Sequence, residues 1–336
     1  MDKLYKIGIT QGDIGGIGYE VIMKALSDSK MLELCTPLIY GLSKVAALNK
    51  KMVDAGEFSY QLVRSADQLS LKKVNLLNIS EKEFQFEFGT SNEMAGRLSE
   101  LSLNMACRDL KENKIDAIVT APINKDNIQS ETFNFHGHTE YFAHQFKASN
   151  VMMMMVADDL RLAFVTHHLP LQEVSAALSV DLIYDKLALL HKTLKTDFAC
   201  TNPRIAVLAL NPHAGDNGLI GREEKEVIHP AIQKAFDNKI NAFGPFPADG
   251  FFAAEKYRQF DAVLAMYHDQ GMIPFKLLSR GEGVNYTAGL PVVRTSPAHG
   301  TAYDIAGKNL ADGQSFRNAI YLAIDILHNR QRLTEE

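Results

Sequence analysis

Short apolar runs alternate with amphipathic stretches along the whole chain, and this alternation leaves few folds open. Residues 6–10, 38–40, 74–77, 115–120, 152–155, 162–166, 205–210 and 262–267 each read as a strand of four to six mostly apolar residues or a fragment of one. Helical spacing marks residues 19–25, with Val21, Ile22 and Ala25 on one face, and residues 92–110, with Met94, Leu98, Leu101 and Met105 three or four apart. Residues 223–236 and 315–327 also read as helices. Strands followed repeatedly by helices predict an α/β protein with a mostly parallel sheet covered on both faces. A length of 336 residues fits about two domains or one large one. There is no internal repeat, low-complexity tract or spacer, so two domains would be joined without a linker.

Composition narrows the function. A net charge of −5 and the lack of a Lys/Arg block give no support for nucleic-acid binding. Three widely spaced cysteines, Cys35, Cys107 and Cys200, form no CxxC pair and suit reduced thiols in the cytoplasm. The amino-terminal residues lack the basic and apolar regions of a signal peptide. The longest apolar stretch, Val151 to Val156, is too short to span a bilayer. Its four consecutive methionines predict a buried strand rather than a soft-metal box, because thioether ligands need spacing.

Three histidines stand where apolar runs give way to loops. His168 follows 162–166, His213 follows 205–210 within Asn-Pro-His-Ala-Gly, and His268 follows 262–267 before Asp-Gln-Gly. Ligands of open α/β sheets bind at the carboxyl ends of strands. Three imidazoles on one such edge would hold a divalent metal and leave coordination positions open. Each histidine taken singly reads equally as a satisfied polar residue at a strand end.

Four further segments carry chemistry. Gly12-Asp-Ile-Gly-Gly-Ile-Gly18 is a glycine-rich strand-to-helix turn that matches neither G-x-G-x-x-G nor the P-loop pattern. In Phe135-His-Gly-His-Thr-Glu140, Thr139 starts a helix whose amides, with His138, suit a phosphate or carboxylate; an ordinary N-cap turn is the plainer reading. Beyond His268 come Lys276, Asn285 and Arg294, donors of the kind a small anion needs. The apolar neighbours of Lys276 argue against simple exposure. His299-Gly-Thr-Ala-Tyr-Asp304 is dense in small residues and carries a hydroxyl and a carboxylate suited to ribose or adenine edges.

Together these segments resemble the 4-hydroxythreonine-4-phosphate dehydrogenase family of vitamin B6 biosynthesis. The likeness runs nearly end to end, through the glycine turn, Gly137-His-Thr-Glu140, Thr166-His-His-Leu-Pro-Leu171, Asn211-Pro-His-Ala-Gly215, Tyr267-His-Asp-Gln-Gly271, Gly283-Val-Asn285, Gly289-Leu-Pro291, Arg294-Thr-Ser and His299-Gly-Thr-Ala. It implies two α/β/α domains flanking a cleft, as in isocitrate and isopropylmalate dehydrogenases. Residues 1–130 and 280–336 would form the cofactor-side domain, and 131–279 the metal, substrate and dimerisation domain. The resemblance places metal ligands at His168, His213 and His268, and substrate contacts at His138, Thr139, Lys276, Asn285 and Arg294. His299, Gly300, Thr301 and Asp304 would meet NAD or NADP outside a Rossmann turn. It also implies a homodimer with the active site at the interface. Ile14 and Tyr19 replace two prolines of the family's glycine turn, and Tyr303 replaces a proline of the isopropylmalate-type loop.

The implied reaction oxidises the C3 hydroxyl of 4-phosphooxy-L-threonine with NAD and then decarboxylates the product to 3-amino-2-oxopropyl phosphate. Three imidazoles suit zinc or cobalt on softness grounds, and family members also accept magnesium. Asp249 and Asp269 are the candidates for general base, with orientation of a histidine as the alternative role. A dehydrogenase of 4-phospho-D-threonate or 4-phospho-D-erythronate is the nearest alternative. A metal-dependent hydrolase is the different-class one, and it would leave the 299–308 loop without a purpose.

Overall fold

The computed structural model describes residues 4–82 and 85–335, and the chain divides into two compact units. The first comprises Met1–Ala148 and Leu290–His328; the second comprises Ser149–Gly289 and Asn329–Glu336. The sequence reading places the divisions at 130/131 and 279/280, so His138 and Thr139 fall in the first unit rather than the second.

The first unit contains strands β1 (Tyr5–Thr10), β2 (Cys35–Gly41), β3 (Tyr60–Val63), β4 (Val74–Asn78) and β5 (Ala117–Thr120). The second contains β6 (Met152–Ala157), β7 (Leu160–Phe164), β8 (Arg204–Leu208), β9 (Asn241–Phe246), β10 (Ala262–Ala265) and β11 (Val284–Ala288). The chain then returns to the first unit with β12 (Val293–Pro297).

In the first unit the strand order is β3-β4-β2-β1-β5-β12, and the pairs are parallel. Residues of β1 and β5 are apolar on both faces because both faces are covered, which is the sequence mark of a parallel sheet. The helix Glu93–Lys111 packs on β1, β2 and β5. It starts where the Asn92 side chain accepts a hydrogen bond from the Ala95 amide at 2.9 Å, a cap worth roughly 1 kcal/mol. Leu98, Leu103, Ala106 and Leu110 supply its buried stripe.

In the second unit the order is β11-β6-β7-β10-β8-β9. Strand β6 runs antiparallel to both β11 and β7, while β7, β10, β8 and β9 are parallel. The four methionines occupy β6 between those two partners and are buried. The helix Val180–Thr196, which the sequence reading omits, is capped by Ser179 and buries Ile183, Leu187, Leu190 and Leu194. A buried leucine or isoleucine contributes roughly 1.5–3 kcal/mol. No helix among the described residues is long and apolar enough to cross a membrane.

Candidate active site and metal ligands

In the second unit, β7, β10 and β8 are adjacent and parallel, so their carboxyl ends share one edge. All three candidate ligands stand just beyond that edge. His168 lies in the loop after β7, and His213 lies in the turn Pro212–Gly218 after β8. His268 is the first residue of the helix His268–Ser279 after β10, where the sequence reading expects a loop. Its Nδ1 pairs with Asp269 Oδ1 at 2.7 Å, which fixes the ring and leaves Nε2 as the outward nitrogen. The ring stacks on Phe164 with centroids 5.8 Å apart. His168 and His213 are exposed. Among the described residues, the three histidines do not form a group whose ligand atoms all lie within 4.8 Å of one another.

The His213 turn has an unusual backbone. His213, Ala214, Gly215, Asp216 and Asn217 are consecutively left-handed, with φ between 41° and 76°. This conformation costs each non-glycine residue roughly 1–2 kcal/mol. Sequence spacing gives no warning of it, although Gly, Asp and Asn are the residues that accept it best.

The remaining second-unit candidates differ in burial. Asn285 lies on β11 opposite Met155, and its Oδ1 is shielded from solvent without a hydrogen bond. Lys276 is exposed on the helix His268–Ser279, contrary to the expectation from its apolar flanks. Those flanks are themselves exposed, with Leu277 at 74%, because the helix buries Met272 and Phe275 instead. Asp249, in the helix Ala248–Ala253, is exposed, and so is Asp269.

The first unit holds a drier group. Arg294 on β12 is 2% exposed, and its Nε and Nη2 donate to Thr120 Oγ1 at 3.2 and 2.7 Å. Burial pulls this guanidinium down to about 9. Thr120 ends β5, so two neighbouring strands place donor and acceptor together. His138 begins the helix His138–Gln145, and its Nε2 is shielded without a partner. Burial, then the nearby charges of Arg294 and Lys125, hold His138 well below the usual imidazole range, so it is neutral at pH 7. Thr139, beside it, is buried. The structure thus joins His138 to Arg294 and adds Lys125, a residue the sequence reading misses because nothing in its flanks marks it.

The glycine turn packs against the 299–304 loop. The Ile17 amide donates to the Thr301 carbonyl at 3.0 Å, and a Cβ on Gly16 would stand 2.7 Å from that same oxygen. Asp13 is the buried hub. Its Oδ1 accepts from the Gly15 amide, and its Oδ2 accepts from Asn127 Nδ2 at 2.7 Å and from Tyr303 Oη at 2.9 Å. His299 Nδ1 pairs with the Gly300 carbonyl, its Nε2 is shielded without a partner, and burial lowers its basicity. Gly300 and Asp304 are exposed. Tyr19 fills the place of a proline with a different device. Its hydroxyl donates to Gln11 Oε1 at 2.7 Å and accepts from the Leu42 amide at 2.5 Å. The residue is in the first turn of Gly18–Ala25, where a proline would break no intrahelical bond, so either residue type fits the backbone.

Comparison with known proteins places the chain in a family. Residues 33–323 match the family model described as pyridoxal phosphate biosynthetic protein PdxA. The chain is 52% identical over 328 residues to the 4-hydroxythreonine-4-phosphate dehydrogenase of Bacteroides thetaiotaomicron, covering 97% of this chain and 90% of that one. The crystal structure of 4-hydroxythreonine-4-phosphate dehydrogenase from Klebsiella pneumoniae aligns with a TM-score of 0.84 at 31% identity, covering 96% and 98% of the two chains. An isocitrate dehydrogenase from Methylococcus capsulatus aligns at a TM-score of 0.51 and 11% identity over 99% of this chain and 89% of that one, a likeness of fold alone. The chain belongs to the PdxA family of pyridoxal phosphate biosynthetic proteins.

Proposed function

We propose that this protein is a 4-hydroxythreonine-4-phosphate dehydrogenase, oxidising the C3 hydroxyl of 4-phosphooxy-L-threonine with NAD or NADP. Loss of carbon dioxide from the resulting β-keto acid then gives 3-amino-2-oxopropyl phosphate. The observation that carries this reading is the 52% identity to the B. thetaiotaomicron enzyme across 97% of the chain. The buried Arg294, with Lys125 and His138 beside it, supports a substrate bearing phosphate and carboxylate.

The donor sets fit the groups the family implies. His168, His213 and His268 offer neutral imidazoles past one sheet edge, suited to a divalent zinc, cobalt or magnesium ion. A homodimer in which one protomer's ligands are completed by its partner's, as the family resemblance implies, accounts for a set whose ligand atoms do not all lie within 4.8 Å of one another. The exposed Leu277 and Ile273 on the helix that begins with His268 suit burial in such a dimer. The shielded His299 Nε2, the small Gly300 and the exposed Asp304 suit a dinucleotide at the first unit, with Thr301 holding the loop. When bound, the ion would supply Lewis acidity toward a substrate oxygen, and the dinucleotide would serve as the two-electron oxidant.

The chain's own residues do the rest. Arg294 and Lys125 hold the anionic ends of the substrate, with Thr139 and the helix start beside them. Neutral His138 offers a hydrogen bond without adding a third positive charge. Asn285 contributes its shielded Oδ1, and Lys276 contributes from the exposed helix face. Asp269 orients His268, which leaves Asp249 to take the hydroxyl proton. The three free cysteines suit a cytoplasmic setting.

NADH formation measured side by side on 4-phosphooxy-L-threonine and 4-phospho-D-threonate tests the proposal. Turnover should favour the former by at least about tenfold in kcat/KM, equal to 1.4 kcal/mol of discrimination. Preference for the threonate would assign the sugar-acid reaction instead, and NAD-independent phosphate release would assign a hydrolase.

A further inference from the structure

The His213 turn is held by one carboxylate. Glu224 is 5% exposed, and its Oε1 accepts from the Leu210 amide at 2.9 Å and the Asn211 amide at 2.7 Å. Its Oε2 accepts from Asn211 Nδ2 at 3.0 Å. These bonds fasten the chain immediately ahead of the left-handed run 213–217. On the far side, a Cβ on Gly215, where φ is 76°, would stand 2.6 Å from Glu224 Oε2, so the turn closes directly over the carboxylate. The Ile220 amide returns to the Gly215 carbonyl at 3.0 Å. Neighbouring side chains repeat the clasp: Glu223 Oε2 accepts from Asn211 Nδ2 at 2.8 Å, and Lys225 Nζ donates to the Asn217 carbonyl. Glu224 also opens a π-helical turn, Glu224–Ile228, an irregularity that recurs where a helix is reshaped to serve a site.

A run of left-handed non-glycine residues persists only where its surroundings over-determine it. We propose that Glu224 is the positioning residue that holds the His213 turn in the shape that presents its imidazole, an inference that rests on reading His213 as a metal ligand. Glu224 is not among the residues proposed to hold the metal or the substrate, and its carboxylate is occupied by the backbone and side chain of the turn. It acts by satisfying the amides of Leu210 and Asn211, which the left-handed turn keeps out of any helix or sheet ladder.

The test uses the full-length protein, cobalt(II) titrated by calorimetry, and amide exchange across residues 211–221 without metal. Glu224→Ala should weaken cobalt binding about 10- to 100-fold, the range of residues that orient a ligand, and should speed exchange in 211–221 while melting stays cooperative. Glu224→Gln keeps an Oε1 acceptor for both amides and should lose less than the roughly tenfold lower bound of that range. If Glu224→Ala fails to fold, Glu224→Asp, whose shorter side chain draws the carboxylate away from the Leu210 and Asn211 amides, must show the same loss and the same faster exchange. Wild-type cobalt affinity or unchanged exchange in the folded variant overturns the proposal. His213→Ala separates the two readings. If it retains cobalt, the ligand assignment fails. If it loses cobalt while Glu224→Ala does not, only the role of Glu224 fails.

Discussion

The buried Arg294 and His138 corner of the first unit and the exposed histidine edge of the second, proposed to take an anion and a cation, differ in how much water they have already lost. Arg294 is sealed between β12 and β5, and His138 is kept neutral by burial and by two cations. His168 and His213 are exposed, and His268 is oriented by an exposed Asp269 and by stacking on Phe164. A buried guanidinium has already lost its water, so an arriving phosphate or carboxylate meets a dry partner and gains from the low local dielectric. Imidazoles that are to take a hydrated cation, the role proposed for these three, would have to stay open, because such an ion brings water and needs further ligands. The first region therefore carries its cost in a desolvated charge, whereas the second carries its cost in the left-handed backbone of the His213 turn.

Arg294→Met tests that difference with the largest expected effect. It should lower kcat/KM about 30- to 5,000-fold, matching the 2–5 kcal/mol lost when one partner of a buried charged contact is removed. Without substrate, however, the variant should melt within a few degrees of the wild type, since the lost Thr120 hydrogen bonds and the nearby Glu140 charge are offset by the removed cost of burying the guanidinium. Activity assays and thermal melts read both. A melt several degrees lower with activity largely kept would make Arg294 a structural residue and erase the contrast.

His138 gives a smaller effect with a definite sign. Its folded pKa lies well below the unfolded value of 6.5, so in that window the unfolded chain binds more protons than the folded one. Stability therefore rises with pH up to 6.5 and is lost as pH falls below it, by at most about 1.4 kcal/mol per pH unit from this group. Urea melts at pH 7 and pH 5.5 should show that His138→Gln loses less stability on acidification than wild type. Equal losses would mean that His138 is solvated in the folded protein.

The contrast also explains what was legible in the sequence. Strands buried on both faces, such as β1, β8 and β10, are continuous apolar runs, so their carboxyl ends and the histidines beyond them could be located. The edge strand β3 exposes Gln61 and Leu62 and is too short to show alternation. Helix His268–Ser279 contains Pro274 and two exposed leucines, which hides its periodicity. Lys125 and Glu224 act through space on residues distant in sequence or across a turn, and no local pattern encodes that. The glycine turn and the 299–304 loop were each legible, but the contact between them was not.

Tyr19 offers the finest probe, because it asks whether the glycine turn is part of the binding machinery or only its support. Phenylalanine at this position keeps the ring and removes a hydroxyl that donates to Gln11 Oε1 and accepts from the Leu42 amide. The amide retains a second acceptor, Gln11 Oε1 at 3.0 Å, so the cost should fall near the lower end for a buried hydrogen bond, about 1 kcal/mol. That corresponds to a melting temperature lower by roughly 2–4 °C in a unit of this size. Because the hydroxyl faces Leu42 rather than Thr301 or His299, KM for the dinucleotide should stay at the wild-type value. A raised KM with an unchanged melt would show that the Tyr19 hydroxyl shapes the loop that holds the dinucleotide, and would move the glycine turn from support to site.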